Sequence, residues 1–510
     1  PADAGHPPPM DAGTSTDAGN VDAGEPDAGL DAGFDAGVPL SWGPCDTTGW
    51  PDEYPMAPAG LQCARVSVPL DHAQPASGSF TLRVARTLST SGSGKALFQL
   101  AGGPGGSAIW ESGVIPLVFP DLVSEFDVIY MDQRGTGGSG YLDCSAGYPE
   151  TQADWTACAA EHTTEPLGHY LTADAAEDVE SVRQQLGYAK IYVHGGSYGT
   201  RVGLEYARLY PQNLVAAVLD GVLPPDVDDF AHDLVQQDSA VQKLIADCNA
   251  DAACLAVSPT LEADLNARKQ TLATTPRPIT VQGQAYTEDD QLFEDALYGA
   301  LDWTGTYYRV PKAIHASVGG DNTLWNGVLT DVFGVTVSGA SDPTRHHPHR
   351  RPRLVPLRHP ELRGLSYVAP GLFEAVTCAE YLPNATMANL QLLSTQQSWL
   401  YESADELGRS TACAAWNVSA APASVRAAVS SDAKVLLMSG EIDFRTPAAW
   451  GAQAKQTLPH ATHVVFPYAS HEAGTVYECA AKMTAQYLAA DGDYSQVDAT
   501  CMQALKSPGW

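Results

Sequence analysis

Apolar residues along this chain fall into short runs of strand length, separated by amphipathic stretches of helix length. Ala64-Arg-Val-Ser-Val68 and Phe80-Thr-Leu-Arg-Val84 supply two early strands. Ala96-Leu-Phe-Gln-Leu100, Ile191-Tyr-Val-His194, Lys434-Val-Leu-Leu-Met438 and His463-Val-Val-Phe-Pro467 supply four more, and further strands are expected near 126 and 215. Helical patterns lie between several of them, notably Asp174 to Arg183 and a run carrying Val202, Leu204, Tyr206 and Leu209. Strands alternating with helices imply a mostly parallel, doubly wound α/β sheet covered on both faces. The stretch between the strand ending near Asp220 and the one at Val435 is too long for a single crossover. It predicts an inserted, mainly helical cap over 224–424, with helices at Asp229–Ala246 and Glu288–Leu301. The expected division is a linker over 1–40, core segments over 41–223 and 425–510, and the cap between them.

The strand at Ile191 runs straight into Gly195-Gly196-Ser197-Tyr198-Gly199, and the amphipathic run follows at once. Strand, G-x-S-x-G, helix is the order of a nucleophile elbow, in which glycines permit a tight turn that lifts a serine hydroxyl above the sheet. A chain with 46 glycines produces such a pentapeptide by chance, so the flanking elements carry the inference that Ser197 is a nucleophile. The strand at Ala96 ends in Gly102-Gly-Pro-Gly-Gly-Ser107. Backbone N–H groups of such a loop and of the residue after the nucleophile form an oxyanion hole, here assigned to Gly103 and Tyr198. Standing alone, the same glycine-rich stretch reads as a flexible surface turn.

An acid and a base are required after the serine. Asp443 lies in the loop after the Lys434 strand, and His471 in the loop beyond the His463 strand, both at strand C-terminal ends, where an open α/β sheet collects its chemistry. Ser197 would attack, His471 would take and return the proton, and Asp443 would orient the imidazole. Glu441 is the nearest rival for the acid and His463 for the base.

Taken together, these motifs resemble the tripeptidyl aminopeptidase and proline iminopeptidase group of α/β-hydrolases, particularly its secreted tripeptidyl aminopeptidase-like branch. The resemblance runs through Trp42–Cys45, Cys63-Ala-Arg-Val-Ser-Val-Pro-Leu-Asp71, the Gly102–Ser107 loop and Asp132-Gln-Arg-Gly-Thr-Gly137. It continues through the Ser197 elbow, Leu219-Asp-Gly-Val222 and Gly440-Glu-Ile-Asp-Phe-Arg-Thr-Pro447, and excludes the middle of the chain. It implies an α/β-hydrolase fold with a cap, and a serine peptidase that releases a short N-terminal unit. Two positions depart from the pattern: Ala101 stands where many relatives carry His, and His471 is followed by Glu472-Ala rather than the usual Gly.

Composition narrows the surroundings of that chemistry. The 510 residues carry a formal net charge of −32, which argues against nucleic-acid binding, because phosphate recognition needs a basic face. No apolar run reaches the length of a membrane span. Seven Asp-Ala-Gly triplets occupy the first 38 residues. Such a segment has almost nothing to bury and is expected to be a disordered spacer, with a membrane tether as one use. Calcium binding by it is disfavoured, since EF-hand ligand spacing is missing. The chain opens at a proline without an initiator methionine, which suggests a processed form.

Ten cysteines lie as neighbours in sequence: Cys45 and Cys63, Cys144 and Cys158, Cys248 and Cys254, Cys378 and Cys413, Cys479 and Cys501. With no C-x-x-C pair, five local disulfides in an exported or surface-tethered bacterial protein are expected, although spacing leaves the connectivity, and buried free thiols, open. In related aminopeptidases cap carboxylates hold the substrate's α-ammonium. Here Asp228, Asp229 and Asp233 form one acidic cluster, and Glu288, Asp289, Asp290 and Glu294 a second, against the alternative of ordinary solvated helix faces. Glu205 reads as an ion-pair residue at the core edge. The basic segment from Arg345 to Arg363 contains His346, His347 and His349, but its prolines prevent helical metal-ligand spacing, and an exposed cap loop is expected. The expectation is a monomeric serine aminopeptidase without cofactor or metal, acting on peptides with a free N-terminus. An esterase or amidase on small acyl substrates is the alternative.

Overall fold

The computed structural model describes residues 40–46, 57–58, 60–145, 149, 151–281, 284–333, 368–385, 399 and 412–510. The Asp-Ala-Gly segment and the basic segment 345–363 lie outside them.

Nine strands of the described residues belong to one sheet: β1 (Gly43–Pro44), β2 (Gln62–Pro69), β3 (Ser79–Thr87), β4 (Ala96–Leu100), β5 (Asp127–Met131), β6 (Ile191–Gly196), β7 (Leu214–Asp220), β10 (Val435–Gly440) and β11 (Ala461–Phe466). Their order across it is β1-β2-β3-β5-β4-β6-β7-β10-β11. From β5 to β11 every pairing is parallel, while β1, β2 and β3 join antiparallel at one edge. The inner strands read as near-continuous apolar runs, interrupted at Gln99 and His194, because both faces are covered. Phe98, Ile129, Val193, Leu219 and Leu437 enter one core, and Leu97, Tyr130, Tyr192, Val218 and Leu436 the other, with the period of two that the pleat requires. The first core is shared with helices α1 (Thr172–Leu186) and α2 (Tyr198–Leu209).

Strands β7 and β10 are neighbours in the sheet although the whole insert separates them in sequence. The insert packs in two parts. Helices α3 (Asp229–Ala250), α4 (Leu261–Thr274), α5 (Asp290–Leu301), α6 (Val310–Val318) and α7 (Thr323–Phe333) surround a core of their own built on Phe293, Leu297 and Trp325. Helix α8 (Pro370–Val376), by contrast, buries Leu372, Ala375 and Val376 in the core of the sheet. Glu288 ends a strand of the hairpin β8 (Arg277–Val281) and β9 (Gln284–Glu288), where a helix start was expected. The β-branched run ahead of Gly283 is the local reason.

The ten cysteines pair with their sequence neighbours: Cys45–Cys63, Cys144–Cys158, Cys248–Cys254, Cys378–Cys413 and Cys479–Cys501. No helix among the described residues is long and apolar enough to cross a membrane.

Candidate active site

β6 delivers Ser197 to the top of the sheet in a conformation few non-glycine residues adopt, φ 53° and ψ −125°, with α2 starting at the next residue. Two glycines make that turn possible by close approach. A Cβ on Gly195 would lie 2.6 Å from the Gly199 carbonyl oxygen, and one on Gly199 would lie 2.2 Å from that of Leu100. The Ser197 N–H donates to the Asp220 carbonyl at 2.9 Å, tying the elbow to the end of β7.

Asp443 and His471 come together beside this turn. Asp443 Oδ2 lies 2.9 Å from His471 Nδ1 and accepts from Thr446 Oγ1 at 2.7 Å. Its Oδ1 accepts the N–H groups of Arg445 and Thr446 at 2.9 and 3.0 Å. Burial alone would push the Asp443 carboxyl up, but the facing His471 and the Thr446 hydrogen bonds hold it below the ordinary value. The carboxylate therefore fixes the imidazole with Nδ1 turned toward it. His471 is buried, and its Nε2 has no hydrogen-bond partner among the described residues. Glu441, the rival acid, is exposed and accepts the Tyr468 N–H, while His463 meets Ser439 Oγ at 3.0 Å.

Serine and histidine loops meet on Asp220-Gly221. Besides its carbonyl bond to Ser197, Asp220 accepts the N–H groups of Ala473 and Gly474 at 3.0 and 2.6 Å through its carboxylate. Gly221 lies against the imidazole, since a Cβ there would be 3.0 Å from His471 Cε1. Burial pushes the Asp220 carboxyl up to about 7, with the Glu472 charge adding to it against those two donors. Glu472 has φ 61°, a left-handed conformation that glycine adopts without steric cost. Its Oε1 lies 3.8 Å from His471 Nε2, in space that a Cβ on Gly196 would enter.

Of the two expected oxyanion donors, Tyr198 opens α2 with its hydroxyl 3.0 Å from Thr172 Oγ1. Gly103, at φ 123°, lies in the loop leaving β4, the neighbour of β6. That loop is packed rather than a free surface turn: Gly102, Pro104, Gly105 and Gly106 are buried, and Ala369 N donates to Gly105 O at 3.0 Å.

The cap carboxylates divide. Glu288 is fully buried against Arg268 at 2.9 Å, the Arg277 guanidinium and Trp325 Nε1 at 2.7 Å, and Glu294 is buried in an ion pair with Lys269. Both candidates for an ammonium clamp thus already face cations inside the cap. Asp228 is the N-cap of α3, accepting the Ala231 N–H at 3.0 Å, and Asp289 caps α5 in the same way. Asp229 is buried, and its charge is felt by Arg201 and Tyr381, whereas the Asp233 side chain lies outside the described residues. Glu205 pairs with Arg208 at 3.0 Å.

One contributor had no local signal. Glu380, fully buried after α8, accepts from Thr172 N and Oγ1 at 2.7 and 2.8 Å and from Arg201 Nε at 2.9 Å, bracing the elbow helix from the returning end of the insert.

A serine on a strained strand-to-helix turn, with an Asp-held imidazole beside it on a doubly wound sheet, defines an α/β-hydrolase site of the serine type. Residues 95–325 match the family model described as alpha/beta hydrolase fold, and residues 402–501 match one described as TAP-like protein. These matches and the sheet agree on the α/β-hydrolase fold. Serine protease Hip1 of Mycobacterium tuberculosis (strain H37Rv) is 29% identical over 245 residues, covering 43% of this chain and 46% of that protein. Tripeptidyl aminopeptidase of Streptomyces lividans is 29% identical over 198 residues, covering 34% and 37%. The chain thus spans about half or less of the length of these curated relatives. The crystal structure of proline iminopeptidase from Mycobacterium smegmatis aligns over 84% of this chain and 98% of that one, with 16% identity and a TM-score of 0.39.

Proposed function

We propose that this chain is an exported serine aminopeptidase that releases a short N-terminal unit, a tripeptide, a dipeptide or a single residue such as proline, through an acyl-enzyme. The observation that carries the proposal is the buried Asp443–His471 pair, with Nε2 left without a hydrogen-bond partner among the described residues beside the Ser197 elbow. Ser197 Oγ attacks the scissile carbonyl while His471 Nε2 takes its proton. Asp443 holds Nδ1–H and stabilises the imidazolium that forms. The Tyr198 and Gly103 N–H groups receive the developing oxyanion. His471 then protonates the leaving amine, and a water, deprotonated by the same nitrogen, hydrolyses the acyl-enzyme.

The names of the relatives favour a peptidase, and a net charge of −32 favours substrates with a free ammonium group over anionic ones. Asp229 is the sequence-named cap carboxylate whose charge reaches the elbow helix, which makes it the first candidate to meet that ammonium. Five disulfides support an oxidising compartment. The Asp-Ala-Gly segment is proposed as a spacer or tether to the cell surface, and the protein as a monomer. The same triad also cleaves simple esters and amides, so a small-acyl esterase is the second reading.

Matched aminoacyl, dipeptidyl and tripeptidyl chromogenic amides, each with a free and an acetylated N-terminus, test the choice. Cleavage confined to free-amine substrates is expected, with substrate length reporting the depth of the pocket. Indifference to acetylation makes the protein an esterase or amidase.

A further inference from the structure

The hydrogen bonds around the loop that carries His471 come from the cap as well as from the sheet. After α5 the cap chain turns through Asp302 and Trp303 into a short helix, Thr304–Tyr307. Thr304 Oγ1 donates to the Tyr468 carbonyl at 2.9 Å and accepts the Ser470 N–H at 3.0 Å. Its own N–H reaches Ser470 Oγ at 3.3 Å. One hydroxyl thus spends its donor and an acceptor position on the two residues flanking Ala469, directly ahead of His471. Two positions earlier in the same corner, Asp302 is buried and accepts from Arg445 Nε at 2.7 Å, so the corner also grips the loop of Asp443.

The grip matters because this loop does not hold its shape by propensity. Tyr468 has φ 61°, a conformation unfavourable for a residue with a Cβ, which persists only where surroundings over-determine it. Its N–H is held by Glu441 at 2.9 Å and its carbonyl by Thr304. Ala469 O accepts the Ile442 N–H at 3.0 Å, which anchors the loop to the sheet side. Thr304 is the cap's contribution to that set, and its bond to Ser470 N is one peptide unit from the His471 backbone.

We infer that Thr304 is a positioning residue for His471: its hydroxyl holds the Tyr468–Ser470 backbone so that the imidazole Nε2 stays in reach of Ser197. The cap then completes the catalytic geometry. This inference rests on the serine-hydrolase reading above. A displacement of about 1 Å from the reacting geometry costs on the order of 100-fold in rate, which sets the scale of the effect.

The test uses the full chain and a fluorophosphonate probe too small to need the cap for binding. Ser197 Oγ forms a bond to phosphorus, the P–F bond breaks, fluoride leaves and the hydroxyl proton goes to His471. Inactivation is resolved into a maximal rate and a half-saturating concentration for wild type, Ser197→Ala, Thr304→Val and Thr304→Ser, with a thermal melt of each. Thr304→Val, which keeps the shape and removes the hydroxyl, is expected to lose about tenfold or more in maximal rate, with half-saturation within about twofold. Thr304→Ser, which restores the hydroxyl, is expected within about threefold of wild type. A wild-type rate in Thr304→Val, or a serine variant as slow as the valine one, overturns the inference. Where the valine variant fails to melt cooperatively, Thr304→Ala carries the same comparison, and a wild-type rate there overturns it equally. A wild type that does not react, or a labelled Ser197→Ala, instead removes the serine-hydrolase reading beneath it.

Discussion

Two groups of buried carboxylates in this protein have opposite surroundings. In the cap, Glu288 faces two guanidinium groups and an indole N–H, and Glu294 faces an ammonium. Each is matched by cations of the cap itself. At the end of the sheet, Asp443 is matched by a histidine whose second nitrogen has no hydrogen-bond partner among the described residues, and Asp220 by backbone N–H groups. Burial is common to both groups, so it does not mark function. What separates them is the partner's chemistry: permanent cations in the cap, a titratable imidazole and neutral N–H groups at the end of the sheet.

The sharpest way to break this contrast is to remove one group from each side. Ser197→Ala and His471→Ala are expected to lower kcat by roughly a millionfold, because triad members act as a unit. Asp443→Asn is expected to lose about 10⁴-fold by releasing the imidazole from its tautomer. All three should keep a cooperative melt near that of wild type, and near-normal turnover in any of them would dissolve the triad. Glu288→Ala should do the reverse. It leaves Arg268 and Arg277 without their buried counter-charge and is expected to cost about 3–5 kcal/mol in urea denaturation, with turnover per folded molecule preserved. Stability retained with activity lost would move Glu288 into the substrate site.

A finer test uses the sign of titration. The Asp220 carboxyl lies at about 7 when folded, above its ordinary 3.8, so the native state holds its proton where the unfolded chain has released it. Its contribution is therefore fully present below about pH 4 and lost as pH rises toward 7, with a limiting slope of about 1.4 kcal/mol per pH unit. Asp443, held below its ordinary value, contributes in the opposite sense, losing stability as pH falls through its folded value. Denaturation at about pH 5 and about pH 7 should show a flatter dependence in Asp220→Asn than in wild type, and an unchanged slope would mean that Asp220 does not titrate there. The smallest effect is expected from Asp228→Ala, about 1 kcal/mol of melting stability from a lost helix cap with kcat/KM unaltered. A large loss in kcat/KM would return Asp228 to the list of substrate ligands.

Much of the sheet and of the triad was legible in the chain because the determinants are local. The central strands are largely apolar runs, the elbow is five residues, and acid and base sit just past strands. Glu288 falls on a strand rather than a helix because its place is set by pairing with Arg277 across the hairpin, which no local pattern displays. Asp220 stood within a recognised motif without a role, because its partners Ala473 and Gly474 lie far away in sequence. Glu380 and Thr304 are typical of what local patterns omit. A buried glutamate in one segment and a threonine at a cap corner acquire meaning only through groups more than a hundred residues distant. Glu472 did leave a trace, as the departure from glycine after His471, and its left-handed backbone is what that departure costs.

Every disulfide joins a cysteine to the next one along the chain, with separations of 18, 14, 6, 35 and 22 residues. A polypeptide threaded N-terminus first through a pore would present the two thiols of each pair in succession, before the following pair arrives. An oxidant working on the emerging strand would then form native bridges in order of appearance, with no shuffling step to correct earlier choices.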